Sequence, residues 1–328
     1  MSSANQMENN LVNPFALDAA DGYEWLKGNL HSHTTNSDGA PSPQERLDGY
    51  VSHDYDFLCL SDHDRITRID SVSYPPGFVL IPGAELHPDN AFGGQLHHFL
   101  CLNVTEDMPA RQMPAQHVID TVNGQGGAVW LAHPHWSGVM IYRDTAPLKG
   151  LIGIEVFNTT CGRRFGRPES GVHWDDWMSL ENKLYPALAN DDAHARGEDN
   201  VDTYVGWTMA RTKERTTQAV FEALCTGACY ASTGPEIHNV KLQRIDQPGD
   251  QQTIVEVHIR CSEAQAINAV CDIIGNHYRE AGQAFTEAAF SLQPDSRWVR
   301  LEVVGMDGSK AWTNPFDLTA LERDAGQQ

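Results

Sequence analysis

The sequence of 328 residues predicts an α/β fold in which a barrel-like domain of alternating strands and helices precedes a small antiparallel β-sandwich module. Between residues 23 and 234, short apolar runs alternate with patterns of helical period, and from 235 to 320 apolar and polar residues alternate. Most predicted strands in the first part end in His, Asp, Glu or Asn, which is typical of barrels whose active sites lie at the carboxyl ends of the strands. We therefore divide the chain into an N-terminal arm (1–22), a barrel domain (23–234), a β module (235–320) and a frayed tail (321–328).

The composition limits the classes of function. Hydrophobic residues make up 41% of the chain and charged residues 20%, which is typical of a globular protein. The formal net charge of −21 argues against a long nucleic acid as partner, because such binding depends on clustered Lys and Arg. No apolar run approaches the roughly 20 residues of a membrane helix, and the first residues lack the pattern of a secretory signal. We therefore expect a cytoplasmic protein that does not engage a membrane.

The first predicted elements are a helix and a strand. Pro43 begins a segment in which Leu47, Tyr50 and Val51 have the spacing of one buried helical face. The apolar run 57–60 then indicates a buried strand that ends in the polar cluster SDHD. The strands that follow contain FVLIPGAE, HHFLCLNV, GAVWLAHPH, GLIGIEVFNT, LYPALANDDAH, VGWTMART and ACYAST. The helices between them contain PAQHVIDTVNG, WDDWMSLEN and TTQAVFEALCTG.

The pair His31 and His33 is the first candidate for metal binding. Side chains alternate across a strand, so both imidazoles of an HxH pair point in the same direction and suit one ion. Taken alone, the pair is more typical of an ordinary half-exposed strand end. Comparable groups follow at later strand ends: Asp62 and His63, Glu85, His97 or His98, His133, and Asp192 with His194. So many convergent titratable groups would be costly without a cation, and together they predict a metal site.

This ordered set of motifs, HxH, SDG, DH, GxE, H, AHP and DxH, resembles that of the PHP (polymerase and histidinol phosphatase) superfamily of metal-dependent hydrolases over residues 23 to 234. The segments KGNLHSHTTNSDG, YDFLCLSDHDRIT and AWTNP are similar to the CehA/McbA-type branch, which includes carbamate ester hydrolases. The resemblance implies a distorted (β/α)7 TIM-like barrel that holds two or three divalent metal ions, commonly Mn, Zn or Fe.

The resemblance also implies which side chains hold the ions. One ion would be held by His31, His33, Glu85 and Asp192. Glu85 would bridge to a second ion, held also by His98 and His133. We select His98 over His97 because HFLCL matches the family's histidine followed by an apolar strand.

A third ion would be held by Asp38, His63 and His194. Asp38 departs from family members that have a histidine near this point. Catalytic roles fall to the ligands His63, Glu85 and His194, and to Asp62. For Asp62 two interpretations stay open: it orients a ligand or proton carrier, or it caps backbone amides at the strand end.

Hydrolysis is the natural reaction of such a centre, because a divalent pair lowers the pKa of water from about 15.7 towards neutrality. Substrate-binding candidates are Arg163, Arg164 and Arg167, in a Gly-containing loop after the IGIEVF strand, together with Arg196 and His173. Arginine suits phosphate oxygens, so these residues favour a small anionic phosphomonoester or phosphodiester as substrate.

Two alternatives remain open. The first is a carbamate or carboxyl ester hydrolase, as the narrower branch suggests. The second is a metal-binding scaffold without activity, whose β module recognises a partner. That module is also compatible with a homo-oligomer, although the sequence shows no self-complementary patch.

Overall fold

The computed structural model describes residues 11–88, 97–195, 201–246, 253–273 and 277–321, and it has a mixed α/β architecture. The helices in these ranges are α1 (Pro43–Ser52), α2 (Ala115–Gly124), α3 (Tyr142–Thr145), α4 (Thr159–Phe165), α5 (Gly171–Glu181) and α6 (Thr217–Cys225). The first ten strands are β1 (Glu24–Asn29), β2 (Phe57–Leu58), β3 (Val79–Leu80), β4 (Gly83–Leu86), β5 (Phe99–Leu102), β6 (Ala128–Leu131), β7 (Leu151–Asn158), β8 (Ala187–Asn190), β9 (Trp207–Thr212) and β10 (Cys229–Ser232). The others are β11 (Ile237–Asp246), β12 (Thr253–Cys271), β13 (His277–Leu292), β14 (Trp298–Gly305), β15 (Lys310–Thr313) and β16 (Phe316–Asp317). None of the described helices has the length and apolar character needed to cross a membrane.

The strands form two sheets. The first has the order β11-β12-β14-β15-β10-β9-β1-β2-β3, with β13 paired to β12 and β16 to β14. The second has the order β4-β5-β6-β7-β8, and in it β5 runs antiparallel to both neighbours. Single parallel bridges, Ser32 with Ala193 and His63 with Glu85, link the two sheets close to the polar motifs. The sheets therefore converge where the sequence places its candidate ligands, whereas the distorted (β/α)7 TIM-like barrel stays a prediction.

Four predicted helices are confirmed as α1, α2, α5 and α6. Helix α1 begins with a capping box: the Ser42 side chain accepts a hydrogen bond from the backbone N–H of Glu45, and the Glu45 carboxylate accepts one from Ser42 N–H. Pro43 follows in the first turn, where its missing N–H costs no hydrogen bond. Local sequence signals therefore fix the start of the helix that follows the SDG motif.

One expectation about local structure is wrong. We expected Arg163, Arg164 and Arg167 in a loop after β7, but the first two lie in the last turn of helix α4. The Asn158 side chain accepts a hydrogen bond of 2.8 Å from a backbone N–H of the first turn and caps the helix. Gly166, with a φ of +67°, ends it in the left-handed conformation. A short helix thus holds these arginines where the sequence pattern indicated an irregular segment.

Apolar packing supports the strands on both faces. One buried cluster takes a side chain from each of six strands: Leu26, Phe57, Val79, Leu100, Trp130 and Leu188. In β5, Leu100 and Leu102 belong to this cluster, whereas Phe99 and Cys101 belong to a second cluster with residues of α2 and α5. The strand ends that carry polar groups are therefore held by packing that does not involve those groups.

The strands after residue 235 are antiparallel, as their alternating pattern predicts. They continue the first sheet, because β15 pairs with β10. One sheet thus crosses the position at which the sequence was divided, and the segments 1–22, 23–234, 235–320 and 321–328 stay predictions. Residues 1–10 and 322–328 of the arm and tail lie outside the described ranges.

Arg300 joins β14 to α5. Its side chain is 2% exposed, and its Nε and Nη2 each donate a hydrogen bond of 2.7 Å to the Asp175 carboxylate. Nη1 donates one of 2.6 Å to Glu302, and the guanidinium lies 4.8 Å from the centre of the Trp174 ring. A buried arginine needs such partners to offset its desolvation, so this contact fixes how the strand and the helix pack.

Asn314, from the AWTNP segment, binds two other stretches of buried backbone. Its Oδ1 accepts a hydrogen bond of 2.8 Å from Ala187 N, and its Nδ2 donates to the carbonyls of Gly227 and Cys229, both at 3.1 Å. Each buried backbone group left without a partner costs about 1–3 kcal/mol. We expect Asn314→Ala to lower the free energy of unfolding by about 2–4 kcal/mol, measured by urea denaturation. A loss below about 0.5 kcal/mol would show that water or rearranged backbone replaces these bonds.

Candidate metal centre

The segment after β1 carries His31 and His33 in extended backbone. Neighbouring strands hold it: Ser32 N donates a hydrogen bond of 2.9 Å to Ser61 Oγ, and His33 N donates one of 2.9 Å to Ala193 O. Both imidazoles are fully buried, and their ring centres lie 5.2 Å apart. Because Ser32 points away, the two histidines share one side of the strand.

Glu85 in β4 lies at the middle of the cluster. Its Oε2 is 3.2 Å from His31 Nε2 and 3.4 Å from His33 Nε2. Asp192 Oδ1 approaches the same two nitrogens, at 3.3 Å from His31 and 2.9 Å from His33. These four side chains are all buried and could hold one metal ion. They are the four that the resemblance implied for the first ion.

The other oxygen of Glu85 faces a second group. Its Oε1 lies 2.8 Å from His98 Nδ1 and 3.1 Å from His133 Nε2. These three residues could hold another ion, with Glu85 between the two. His97 instead lies close to backbone, with its Nε2 3.2 Å from Asp144 O. The structure therefore brings His98, and not His97, to Glu85.

Asp38, His63, His194 and His33 form a third group that could hold an ion. Asp38 Oδ1 is 3.2 Å from His63 Nε2 and 3.3 Å from His194 Nε2. Gly39 allows this loop to approach, because a Cβ at that position would lie 2.3 Å from the His33 carbonyl group. The glycine of the SDG motif is thus required by close backbone contact.

The polar atoms at the middle of the cluster fit a divalent cation. Among the described residues, His31 Nε2 and Glu85 Oε2 are buried and form no hydrogen bond, although they face each other at 3.2 Å. The other nitrogen of His31, Nδ1, lies 3.0 Å from Glu155 Oε1. A proton on Nδ1 leaves the Nε2 lone pair directed at the cluster. Imidazole nitrogens and carboxylate oxygens are the donors that Mn, Fe and Zn accept in proteins.

The electrostatic field of the cluster favours positive charge. Burial lowers the pKa of His31, but the carboxylates of Asp192, Glu155 and Glu85 outweigh it and raise that pKa well above its ordinary value. Burial acts in the opposite sense on Glu85, and the nearby imidazoles, led by His63 and His31, hold its pKa well below the usual range. The same field that stabilises a proton on these histidines also attracts a metal ion, so the two compete for the site.

Two members of the cluster, Glu155 and His87, were not identified from the sequence. Glu155 lies within strand β7 and not at its end. The sequence feature that could have identified it is a carboxylate with apolar neighbours in a buried strand. His87 follows Glu85 by two residues and therefore points to the same side. Its Nε2 is 3.7 Å from Glu85 Oε1, and its Nδ1 is 3.0 Å from Asp64 Oδ2.

Asp62 lies beside the cluster and holds a loop. Its carboxylate accepts hydrogen bonds from Thr34 N and Thr34 Oγ1, both at 2.7 Å, from Ser37 Oγ at 2.6 Å and from Thr67 Oγ1 at 2.5 Å. These bonds fix the loop that leads to Asp38. Of the two interpretations left open, the contacts favour the cap of backbone and hydroxyl groups, and a catalytic role for Asp62 stays a prediction.

Three of the four arginines predicted to bind substrate lie at the end of helix α4 or just after it. Arg163, Arg164 and Arg167 are exposed. Arg164 Nη2 is 4.0 Å from Oδ2 of the buried Asp202, at the outer limit of an ion pair. Arg196 falls outside the described residues. Substrate binding by these four residues stays a prediction.

His173 lies at the contact between α5 and the later strands. Its Nε2 is 2.9 Å from Met140 O, and its ring centre is 5.5 Å from that of His135. Both histidines line a cavity of about 430 Å³ together with residues of β12 and β14. The structure thus places His173 at a cavity that has no candidate metal ligand among its lining residues, and its role in substrate binding stays a prediction.

Solvent reaches the cluster at three of the candidate ligands. The side chains of Asp38, His63 and His98 are 44%, 23% and 16% exposed. The other ligands named for the three groups are at most 9% exposed. The face formed by Asp38, His63 and His98 is called the open face below.

We expect a divalent metal to stabilise the protein. A ligand that binds only the folded state adds about 2.7 kcal/mol at a concentration 100 times its Kd. Excess MnCl₂, compared with EDTA, is therefore expected to raise Tm by roughly 5 °C in a thermal melt. His33→Ala removes an imidazole shared by two of the groups and should lose most of this rise. An equal rise in the variant would mean that manganese binds elsewhere.

Comparison with solved structures gives a fold likeness. The chain is similar to a two-domain protein from Bacteroides vulgatus that contains a predicted PHP-like metal-dependent phosphoesterase, with a TM-score of 0.52 and 17% identity over 90% of this chain and 96% of that one. It is also similar to a proposed metal-dependent phosphoesterase from Bifidobacterium adolescentis (TM-score 0.38, 15% identity, 53% and 89% of the two chains). A third is an amidohydrolase from Chromobacterium violaceum with bound sulfate and no metal (TM-score 0.37, 17% identity, 52% and 89%).

No protein-family model and no curated protein matches the sequence. The likeness to the Bacteroides vulgatus protein spans nearly the whole of both chains, and it confirms the PHP resemblance at the level of the fold. The narrower CehA/McbA branch stays a prediction.

Proposed function

We propose that the protein is a metal-dependent hydrolase that cleaves a small phosphomonoester or phosphodiester at a centre of two or three divalent ions, Mn, Zn or Fe. Its strands β1, β2, β3 with β4, β5, β6, β7 and β8 would form a distorted seven-stranded barrel around that centre. Two bridges between the sheets support this arrangement. Ser32–Ala193 joins the segments after β1 and β8, and His63–Glu85 joins the segment after β2 to β4.

The observation that carries the proposal is the position of Glu85. Its two oxygens face different groups of histidines, with His31, His33 and His63 on the Oε2 side and His98 and His133 on the Oε1 side. A carboxylate between two sets of imidazole donors is suited to neutralising two neighbouring cations.

When bound, divalent ions would lower the pKa of water and polarise the ester. The chain supplies the positions. Glu85 and Asp192 fix the buried side of the centre, and the Glu155 carboxylate orients His31 through its Nδ1. Asp38 and His63 lie on the open face, where an ester would arrive.

A phosphoester is favoured by the arginines of helix α4. The chain has only 23 Lys and Arg residues, and two of them, Arg163 and Arg164, lie in the last turn of this helix. Arg164 approaches Asp202, whose carboxylate accepts a hydrogen bond from His194 N. An arginine can neutralise phosphate oxygens that the metals leave free. The similar Bacteroides vulgatus protein also contains a predicted phosphoesterase.

A neutral carbamate or carboxyl ester is the second candidate. It is favoured by the exposure of Arg163, Arg164 and Arg167, since an arginine built to clamp a phosphate is usually held in place by its own hydrogen bonds. A carbonyl substrate would need the metals and an orienting pocket but no guanidinium.

An assay with three substrates separates these candidates. Manganese-loaded protein would be tested on p-nitrophenyl phosphate, bis(p-nitrophenyl) phosphate and 1-naphthyl methylcarbamate. We expect cleavage of a phosphate ester, and activity on the carbamate alone would contradict the phosphoesterase proposal. Asp192→Ala is the control, because turnover that survives loss of metal in this variant would place catalysis at another site.

A further inference from the structure

An aromatic pair lies next to the candidate ligands. Trp136 follows His133 in a tight turn, in which Trp136 N donates a hydrogen bond of 2.9 Å to His133 O. The turn places the Trp136 ring centre 5.3 Å from that of His98 and 6.2 Å from that of His133. On its other side, Trp136 contacts Phe165 at 5.6 Å between ring centres. The pair therefore begins at a candidate ligand and extends outwards.

This pair lies on the open face. His98, against which Trp136 packs, is one of the three partly exposed candidate ligands. Phe165 is 49% exposed, and together with Trp136 it places two adjacent aromatic rings beside a polar cluster. Nothing in the packing of the strands requires an aromatic residue at the exposed end of α4, so its contact with Trp136 calls for a separate explanation.

Next to Phe165 in α4 lies a cationic residue, Arg164, so the end of this helix carries both apolar and cationic side chains. Arg164 approaches Asp202, whose carboxylate accepts a hydrogen bond of 3.0 Å from His194 N, so this residue faces the His194 side. Phe165 faces the His98 side through Trp136. Two consecutive side chains at the end of α4 thus face different candidate ligands. The cationic Arg164 lies on the side of His194, and the apolar Phe165 lies on the side of His98.

We propose that Trp136 and Phe165 form a subsite for an aromatic group of the substrate, so that the enzyme selects aryl over small alkyl esters. This inference rests on the proposed hydrolase function and names its substrate class. An aryl group seated on the two rings would remove apolar surface from water and make offset or edge contacts with them. The reacting end of the same molecule would then lie over the open face.

Binding of non-hydrolysable analogues tests this subsite without depending on turnover. We would measure the Kd of phenylphosphonate and of methylphosphonate for manganese-loaded protein by calorimetry. The wild-type protein is expected to prefer phenylphosphonate by about tenfold, the effect of burying part of one ring. Trp136→Ala should reduce the preference to within about twofold, whereas Trp136→Phe should keep most of it.

Phe165→Ala should reduce the preference by a smaller factor, and its exposed position makes loss of folding no concern. Leu180→Ala is the matched control, because Leu180 is an apolar side chain 61% exposed on α5, and it should leave the preference unchanged. Metal content would be measured for every variant, so that loss of an ion is not mistaken for loss of the aryl contact.

The outcomes separate this inference from the proposed function. If wild-type protein binds both phosphonates equally, or if the aryl preference survives in Trp136→Ala and Phe165→Ala with metal content intact, the subsite is overturned and the hydrolase proposal stands. If neither phosphonate binds and no phosphate ester is cleaved, the phosphoesterase proposal falls and the inference falls with it.

Discussion

Glu85→Gln is expected to abolish hydrolysis and to remove most of the bound metal. The side chain is 1% exposed, and its two oxygens face histidine nitrogens on both sides, so no neighbouring group can replace it. Glutamine keeps the shape but turns one oxygen into an N–H donor and removes the charge that would neutralise two cations. The loss of several kcal/mol of transition-state stabilisation corresponds to a decrease in kcat/KM of about 10³-fold or more.

Two measurements check this result: kcat/KM on whichever ester the wild-type protein cleaves, and metal per chain by elemental analysis. Glu256→Gln is the matched control, because Glu256 lies in β12 and contacts only the exposed His258 among the ion pairs of the described residues. We expect that variant to keep activity and metal. A Glu85→Gln protein with unchanged metal content and activity within threefold of wild type would contradict the central role of Glu85.

That most candidate ligands lie together could be predicted from sequence because they follow apolar runs, whereas their division among ions, and the place of Asp38 after the polar stretch TTNS, came from the resemblance to the PHP superfamily. An apolar run that ends in His or Asp indicates a strand end, and strand ends of a sheet converge. The structure brings together all nine candidate ligands named from sequence, in groups that share Glu85 and His33. Sequence could not show that His33 also faces the third group. That position depends on the twist of the strands and on the close approach of the Asp38 loop to His33, which Gly39 allows.

The strand directions could not be predicted in the same way. Strand β5 runs antiparallel to β4 and β6, yet its FLCL run has the same pattern as a parallel strand, because both faces are buried in either case. Similarly, nothing in the alternating pattern after residue 235 indicates that β15 pairs with β10. Long-range pairing depends on which sheet edges are open, and a local pattern does not contain that information.

Glu155 shows the limit of the strand-end rule. The rule finds polar residues where an apolar run stops, but Glu155 interrupts the run of β7 and was therefore assigned to the strand alone. A fully buried carboxylate needs several partners, and here four groups reach it: His31 Nδ1 at 3.0 Å, His133 N at 2.9 Å, Asn158 Nδ2 at 2.9 Å and Asn190 Nδ2 at 3.0 Å. Burial opposes ionisation of Glu155, but the adjacent His31 outweighs it and lowers the pKa of the carboxyl, so the group is a carboxylate at neutral pH.

Glu155→Gln should therefore weaken metal binding without removing any of the nine candidate ligands. The carboxylate lies on the Nδ1 side of His31 and so fixes the Nε2 lone pair towards Glu85 and Asp192. Loss of such an orienting partner costs about 10–100-fold in metal affinity. We expect the apparent Kd for manganese to rise by that factor, while kcat at saturating manganese falls much less, because the ligands themselves remain.

The control for Glu155→Gln is Glu302→Gln, which removes the negative charge from another carboxylate, the partner of Arg300 at 2.6 Å, away from the cluster. It should lower Tm but leave the manganese Kd unchanged, since none of the candidate metal groups includes Glu302. If Glu155→Gln changed Tm to the same extent and also left the manganese Kd unchanged, Glu155 would be a packing residue. A higher Kd with little change in kcat at saturation is the result that a purely structural role does not produce, because it requires that His31 be correctly oriented before the metal binds.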